Sequence, residues 1–191
     1  MIPRGQRTYL PGSEGWMTPS ELDSLYEAAE ETRGLPGGLL ELGSYKGLST
    51  SALALSGPVT CVDSFGGDPD SPASTRQDFE RNMRSLGRWD LVTLVPRTTR
   101  EGLAQLSAAG FRARLVLVDA SHEEEDARLD MAESWPLIVP GGLLFVDDLD
   151  NRYAPGAHPG VHAAAARFER DHGVRFEKRG EWAKLAFAVK P

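Results

Sequence analysis

The sequence has a single cysteine, Cys61, so no disulfide can close within the chain and a disulfide-stapled secreted scaffold is excluded. No apolar run approaches the ~20 residues of a bilayer-spanning helix. The start, Met1-Ile2-Pro3-Arg4, lacks the apolar core of a secretory leader. These absences set the expectation of a cytoplasmic protein with no membrane partner. Positive charge is also short: 21 Lys and Arg face 28 Asp and Glu, for a formal net charge of −7. With no basic stripe, a nucleic-acid partner is not expected. Repeats and low-complexity tracts are missing, and His158, His162 and His172 have no zinc-ligand spacing. What is present is an ordinary globular composition, 40% hydrophobic and 26% charged over 191 residues. It suits one domain over residues 1–191, with a Gly- and Pro-rich irregular lead-in at 1–17. A homodimer stays open.

Thr18-Pro19-Ser20-Glu21 reads as a helix start. Thr18 caps, Pro19 suits the first helical position and Glu21 completes a capping box. Leu22, Leu25, Tyr26 and Ala29 then follow at helical spacing. Short continuous apolar runs recur at 39–42, 59–62, 91–95, 115–118 and 143–146. Between them, Phe79, Met83 and Leu86 share a helical face, as do Leu103 and Leu106. Apolar strands alternating with helices specify a parallel sheet covered on both faces and wound by right-handed crossovers. Val161, Ala164, Ala165 and Phe168 form a later helix face. Two further strands are expected around 174–177 and 184–189, joined by a short polar link, which turns the last strand antiparallel. The expected fold is a Rossmann-like doubly wound α/β fold. Its seven-stranded sheet is mostly parallel, with one antiparallel strand near the C-terminus and helices on both faces.

Ligands of such sheets bind beyond the carboxyl ends of the strands, at the switch point. Glu41 to Thr50 follows the end of the first run, Asp63-Ser64 the second, Asp119 to His122 the fourth and Asp147-Asp148 the fifth. Gly43 and Gly47 allow a backbone turn to approach a ligand closely. Their spacing is not G-x-G-x-x-G, which disfavours a dinucleotide. Asp63 lies 20 residues beyond Gly43, where an acid can accept from both hydroxyls of an adenosine ribose.

Glu41-Leu42-Gly43-Ser44-Tyr45-Lys46-Gly47-Leu48-Ser49-Thr50 resembles motif I of the class I methyltransferases, and Cys61-Val62-Asp63-Ser64 their ribose-binding motif. Leu117-Val118-Asp119-Ala120-Ser121-His122, Trp135-Pro136-Leu137, Pro140-Gly141-Gly142 and Val146-Asp147-Asp148 resemble a small-molecule branch, similar to macrocin O-methyltransferase and, more distantly, catechol O-methyltransferase. The likeness covers roughly residues 17–170. It implies an S-adenosylmethionine site in which Glu41, Gly43, Ser44, Gly47 and Ser49 surround the methionine part. Asp63 and Ser64 then meet the ribose, and Thr99 and Arg100 lie beside the adenine. Asp119 borders the cofactor and, with Asp147 and Asp148, matches the ligands of a Mg²⁺ ion. His122 falls where catechol-type enzymes keep a lysine base, and Met17 where they keep a methionine near the donor methyl. His in place of Lys, and Asp148 in place of Asn, are departures from the catechol pattern.

The residues support this assignment on their own chemistry. Carboxylates converging at strand ends repel unless a cation or proton compensates, and oxygen ligands suit Mg²⁺ or another hard divalent ion. A neutral imidazole at His122, with an ordinary pKa near ~6.5, can accept a hydroxyl proton. Against this stand simpler readings. Asp147-Asp148 would serve as a cap, His122 as a surface residue beside Glu123 to Asp126, and His158, His162 and His172 as surface or lid residues. The expected activity is methyl transfer from S-adenosylmethionine to a hydroxyl of a small-molecule, natural-product-like acceptor, with a divalent ion. The alternatives are a metal-independent enzyme acting on another atom such as nitrogen, and a cofactor-binding regulator without chemistry.

Overall fold

The apolar runs become the strands of one sheet. The computed structural model describes residues 1–66, 75–149, 156–179 and 185–191. Its strands are β1 (Gly38–Leu42), β2 (Val59–Val62), β3 (Val92–Val95), β4 (Ala113–Val118), β5 (Ile138–Val146), β6 (Glu177–Arg179) and β7 (Leu185–Val189). Its helices are α1 (Pro19–Glu31), α2 (Leu48–Leu53), α3 (Arg76–Ser85), α4 (Thr99–Ala108), α5 (Glu124–Ser134) and α6 (Pro159–His172). The sheet is seven-stranded in the order β3-β2-β1-β4-β5-β7-β6. Pairings from β3 through β5 are parallel, and β7 runs antiparallel to both β5 and β6. The single reversed strand is the one expected. Among the described residues no helix is long and apolar enough to cross a membrane.

Strand side chains alternate between two cores. Leu39, Cys61, Leu115, Leu117 and Phe145 pack beneath α1, α2 and α3, with Leu25, Leu53, Phe79 and Met83. Leu40, Leu42, Val62, Val116, Val118, Leu144 and Val146 face α4, α5 and α6, with Leu103, Met131 and Phe168. Both faces are therefore dry, which is why the strands read as unbroken apolar runs.

The capping box at the head of α1 forms as expected: Glu21 N donates to Thr18 Oγ1 at 3.3 Å, and Thr18 N donates to Glu21 Oε2 at 2.6 Å. Three boundaries differ from the sequence reading. The fifth strand starts at Ile138 rather than at residue 143, because Pro140 and Gly141 sit at its exposed turn while the ladder continues around them: Gly141 N donates to Lys190 O, and Lys190 N to Gly142 O. The third begins at Val92, since Trp89–Leu91 closes into a short 3₁₀ turn. The sixth begins at Glu177, three residues late, because its polar segment Glu177–Arg179 pairs with β7 by backbone bonds that no hydrophobic pattern announces. The link at 180–184 lies outside the described residues. The lead-in at 1–17 holds two short 3₁₀ turns, Arg4–Gln6 and Gly12–Glu14, and is tied down. The buried Arg7 guanidinium donates to Asp23 at 2.7 Å, Glu27 at 3.0 Å and the Ile2 carbonyl at 2.8 Å.

Candidate active site

Each central strand passes its hydrogen-bond ladder on by one residue. Gly43 N donates to Val62 O, Asp63 N to Val95 O, Asp119 N to Leu42 O and Asp147 N to Val118 O, at 2.9–3.3 Å. These amides hold the four residues at one rim, directly past β1, β2, β4 and β5. Strand order reverses between β1 and β4, so the rim contains the switch point where such sheets take ligands. Tyr45, Phe65 and Asp148 lie in the same rim with left-handed backbone, at φ 47, 54 and 59. Such conformations cost of order 1 kcal/mol or more in a non-glycine residue, and they cluster where binding demands a fixed shape.

The loop after β1 is held from two sides. A Cβ on Gly43 would run into the carbonyl oxygen of Asp119, and one on Gly47 would press on Phe79 at 3.2 Å. With φ of 85 and 93, both positions also demand left-handed backbone. Gly43 thus lets the turns after β1 and β4 touch backbone to backbone. On the other side, Asp63 Oδ2 accepts from the amides of Ser44 and Tyr45, at 2.7 Å each, and its Oδ1 accepts from Phe65 N at 2.6 Å. Ser64 is exposed beside it. Beneath the loop, Glu41 is fully buried and accepts from Ser44 Oγ at 2.8 Å, from Thr50 Oγ1 and from the Cys61 thiol. Burial pushes its carboxyl up from the ordinary range, against the hydroxyls of Ser49, Thr50 and Ser44. Its Oε1 meets no hydrogen-bond partner among the described residues. Ser49 is buried in the first turn of α2.

Past β4 and β5 the acids converge. Asp119, Asp147 and Asp148 each offer an oxygen within 4.8 Å of the others. Asp147 and Asp148 are only 3% and 6% exposed. His122, half exposed, directs Nε2 to Asp148 Oδ2 at 2.9 Å.

A methyltransferase-domain family matches residues 40–149, from β1 to the rim past β5. The chain belongs to the methyltransferase family. No curated protein matches it significantly in sequence. Solved methyltransferases share its fold. The O-methyltransferase NovP superposes with a TM-score of 0.75 at 16% identity, over 93% of this chain and 82% of NovP. An O-methyltransferase from Bacillus cereus, in complex with SAH, gives 0.70 at 14% identity, over 94% and 86%. TomG from Streptomyces achromogenes, involved in tomaymycin synthesis and solved with SAM, gives 0.67 at 17%, over 92% and 82%.

The methyltransferase rim thus gathers Glu41, Gly43, Ser44, Gly47, Ser49, Asp63 and Ser64 around one loop, and Asp119, His122, Asp147 and Asp148 around the next. Thr99 and Arg100 open α4 past β3; Arg100 is exposed and Thr99 is partly buried. Met17 is buried in the core beneath α1–α3. Trp16, in contrast, is 71% exposed and lies against Tyr45, with ring centroids 5.0 Å apart. Residues 150–155, which follow the Asp147-Asp148 turn, lie outside the described residues. The sequence reading left His158 as a surface or lid residue, and the structure sets it against His122. A signal was present: Pro159 suits a first helical position, which makes His158 an N-cap just past the β5 rim.

Proposed function

We propose that this cytoplasmic methyltransferase transfers the methyl group of S-adenosylmethionine to a hydroxyl of a small, natural-product-like acceptor, with a divalent cation held by Asp119, Asp147 and Asp148. The carrying observation is the convergence of these acids beside His122 at the switch-point rim. The donor set fits the ion. Three carboxylates, two of them buried, repel one another unless positive charge compensates, and oxygen ligands suit a hard cation. A bound cation would supply acidity to an acceptor hydroxyl.

The rest falls to the chain. Asp148 accepts from His122 Nε2, which orients the ring and leaves Nδ1 to take the hydroxyl proton. Asp63 anchors the Ser44, Tyr45 and Phe65 amides and keeps one lone-pair site for a ribose hydroxyl. Glu41 fixes the same loop from below through Ser44 and Thr50. The likeness to NovP and TomG supports a hydroxyl acceptor, and a paired oxygen set favours acceptors with two adjacent hydroxyls.

The test is methyl transfer from labelled S-adenosylmethionine to a panel of catechols and sugar diols. Excess chelator should abolish turnover and Mg²⁺ should restore it. Asp147→Asn should lose the response to Mg²⁺ and keep cofactor affinity. His122→Ala should lower turnover by about 10²–10⁴, with the loss shrinking at high pH. Full turnover in excess chelator would remove the cation from the reaction, and failure to bind S-adenosylmethionine would overturn the reading altogether.

A further inference from the structure

The rim past β5 carries one imidazole more than methyl transfer uses. His158, the residue before α6, faces His122 with ring centroids 3.9 Å apart and a 32° tilt. Both rings direct Nε2 at one oxygen, Asp148 Oδ2, at 2.9 Å from His122 and 3.8 Å from His158. Donor atoms of His122, Asp148 and His158 all lie within 4.8 Å of one another.

Backbone packing maintains this meeting. Gly160, in the first turn of α6, lies so close to the loop after β4 that a Cβ would collide with the His122 carbonyl. The same Cβ would sit 2.7 Å from Glu124 N. Val161, next along, is buried in the core. Asp148 is set by its left-handed turn at φ 59. The segments that carry His122 and His158 are therefore packed on each other, and Asp148 comes from a separate turn past β5.

Two imidazole nitrogens and one carboxylate oxygen are a borderline donor set, softer than the three carboxylates alongside. Ligands at ~2.0–2.1 Å on a tetrahedral Zn²⁺ lie about 3.3 Å apart, and the observed 2.9 and 3.8 Å bracket that spacing. We propose that His122, Asp148 and His158 form a second cation site, selective for Zn²⁺ or Co²⁺ over Mg²⁺, which shares Asp148 with the three-carboxylate site. Its occupation ties up His122. Resting on the function proposed above, and only in this respect, the site makes the enzyme sensitive to inhibition by zinc.

The experiment uses the full chain in millimolar Mg²⁺, titrated with Co²⁺ and followed by visible absorption. Wild type should develop a tetrahedral Co²⁺ spectrum that Zn²⁺ displaces. His158→Ala should weaken Co²⁺ binding at least tenfold, while Asp119→Asn should retain it. Loss in Asp119→Asn with none in His158→Ala would put the ion in the three-carboxylate site and overturn the proposal. Zinc-edge X-ray absorption on the wild-type chain gives a reading independent of any variant's folding. Outer-shell scattering from two imidazoles is expected, and an all-oxygen shell would refute the site. These readouts need no acceptor, so they stand apart from the methyl-transfer assay. In that assay, stoichiometric Zn²⁺ should inhibit wild type and spare His158→Ala; equal inhibition of both would overturn the regulatory consequence.

Discussion

Asp63 carries two duties with one carboxylate. Three of its roughly four lone-pair sites are taken by the amides of Ser44, Tyr45 and Phe65. The sequence offers Asp63 for a ribose role by a spacing argument, an acid 20 residues past a glycine turn. Its amide role was not legible there, because hydrogen bonds to backbone leave no mark in side-chain identity. Asp63→Ala should therefore do more than lose a ligand contact. Each hydrogen bond to a charged group contributes about 1.5–3 kcal/mol. Calorimetry should show at least a tenfold loss of S-adenosylmethionine affinity, and amide exchange at Ser44 and Tyr45 should quicken even without cofactor. Unchanged exchange in a folded variant would deny Asp63 its hold on the loop. Gly43 teaches the same lesson: the sequence announced a permissive backbone, but only the fold reveals that Asp119's carbonyl demands it.

Helices and strands were legible where one face is dry. α1, α4 and α6 bury the residues their periodicity singles out, and β1, β2 and β4 match their apolar runs to within a residue or two. β6 was displaced because its strand is polar and exposed on an edge. Between α4 and α5 the pattern also concealed a buried acid. Asp130 is 3% exposed, and burial pushes its carboxyl up to about 6, with Asp126 and Glu133 adding to the rise and Thr99 opposing it. The unfolded chain releases this proton near ~4. The folded protein therefore holds a proton that the unfolded one loses between those values. Stability from this group is full at low pH and falls as pH rises through about 4 to 6. Asp130→Asn removes the slope. Its melting temperature relative to wild type should climb between pH 4 and pH 7, by an amount equivalent to about 2–3 kcal/mol. Parallel melting curves across that range would show that Asp130 ionises normally.

At the scale of the whole molecule, the lead-in and the sheet act on the same loop. Leu10 N donates to Ser51 Oγ at 3.3 Å, Asn82 donates to Glu14 at 2.9 Å and to the Lys46 carbonyl at 2.9 Å, and Gly15 rests on Leu48. The Arg7 cluster anchors this segment to α1, and the guanidinium of Arg4 heads the groups that hold Glu27 down at about 2. The sequence reading saw only an irregular lead-in because such ties join residues far apart in the chain. Cys61 sits at the centre of this arrangement, in β2 against Glu41. It is wholly buried, and burial together with the neighbouring Glu41 charge raises its thiol well above the usual range. Being the only cysteine, it doubles as a built-in clock for opening of the molecule. A thiol reagent should find nothing to react with in the native protein, so its rate of modification counts excursions that part β2 from α2. Cofactor present at about 100 times its dissociation constant should slow that clock about a hundredfold. Protection by S-adenosylmethionine, without any acceptor or introduced label, would then read out how firmly the loop after β1 is closed.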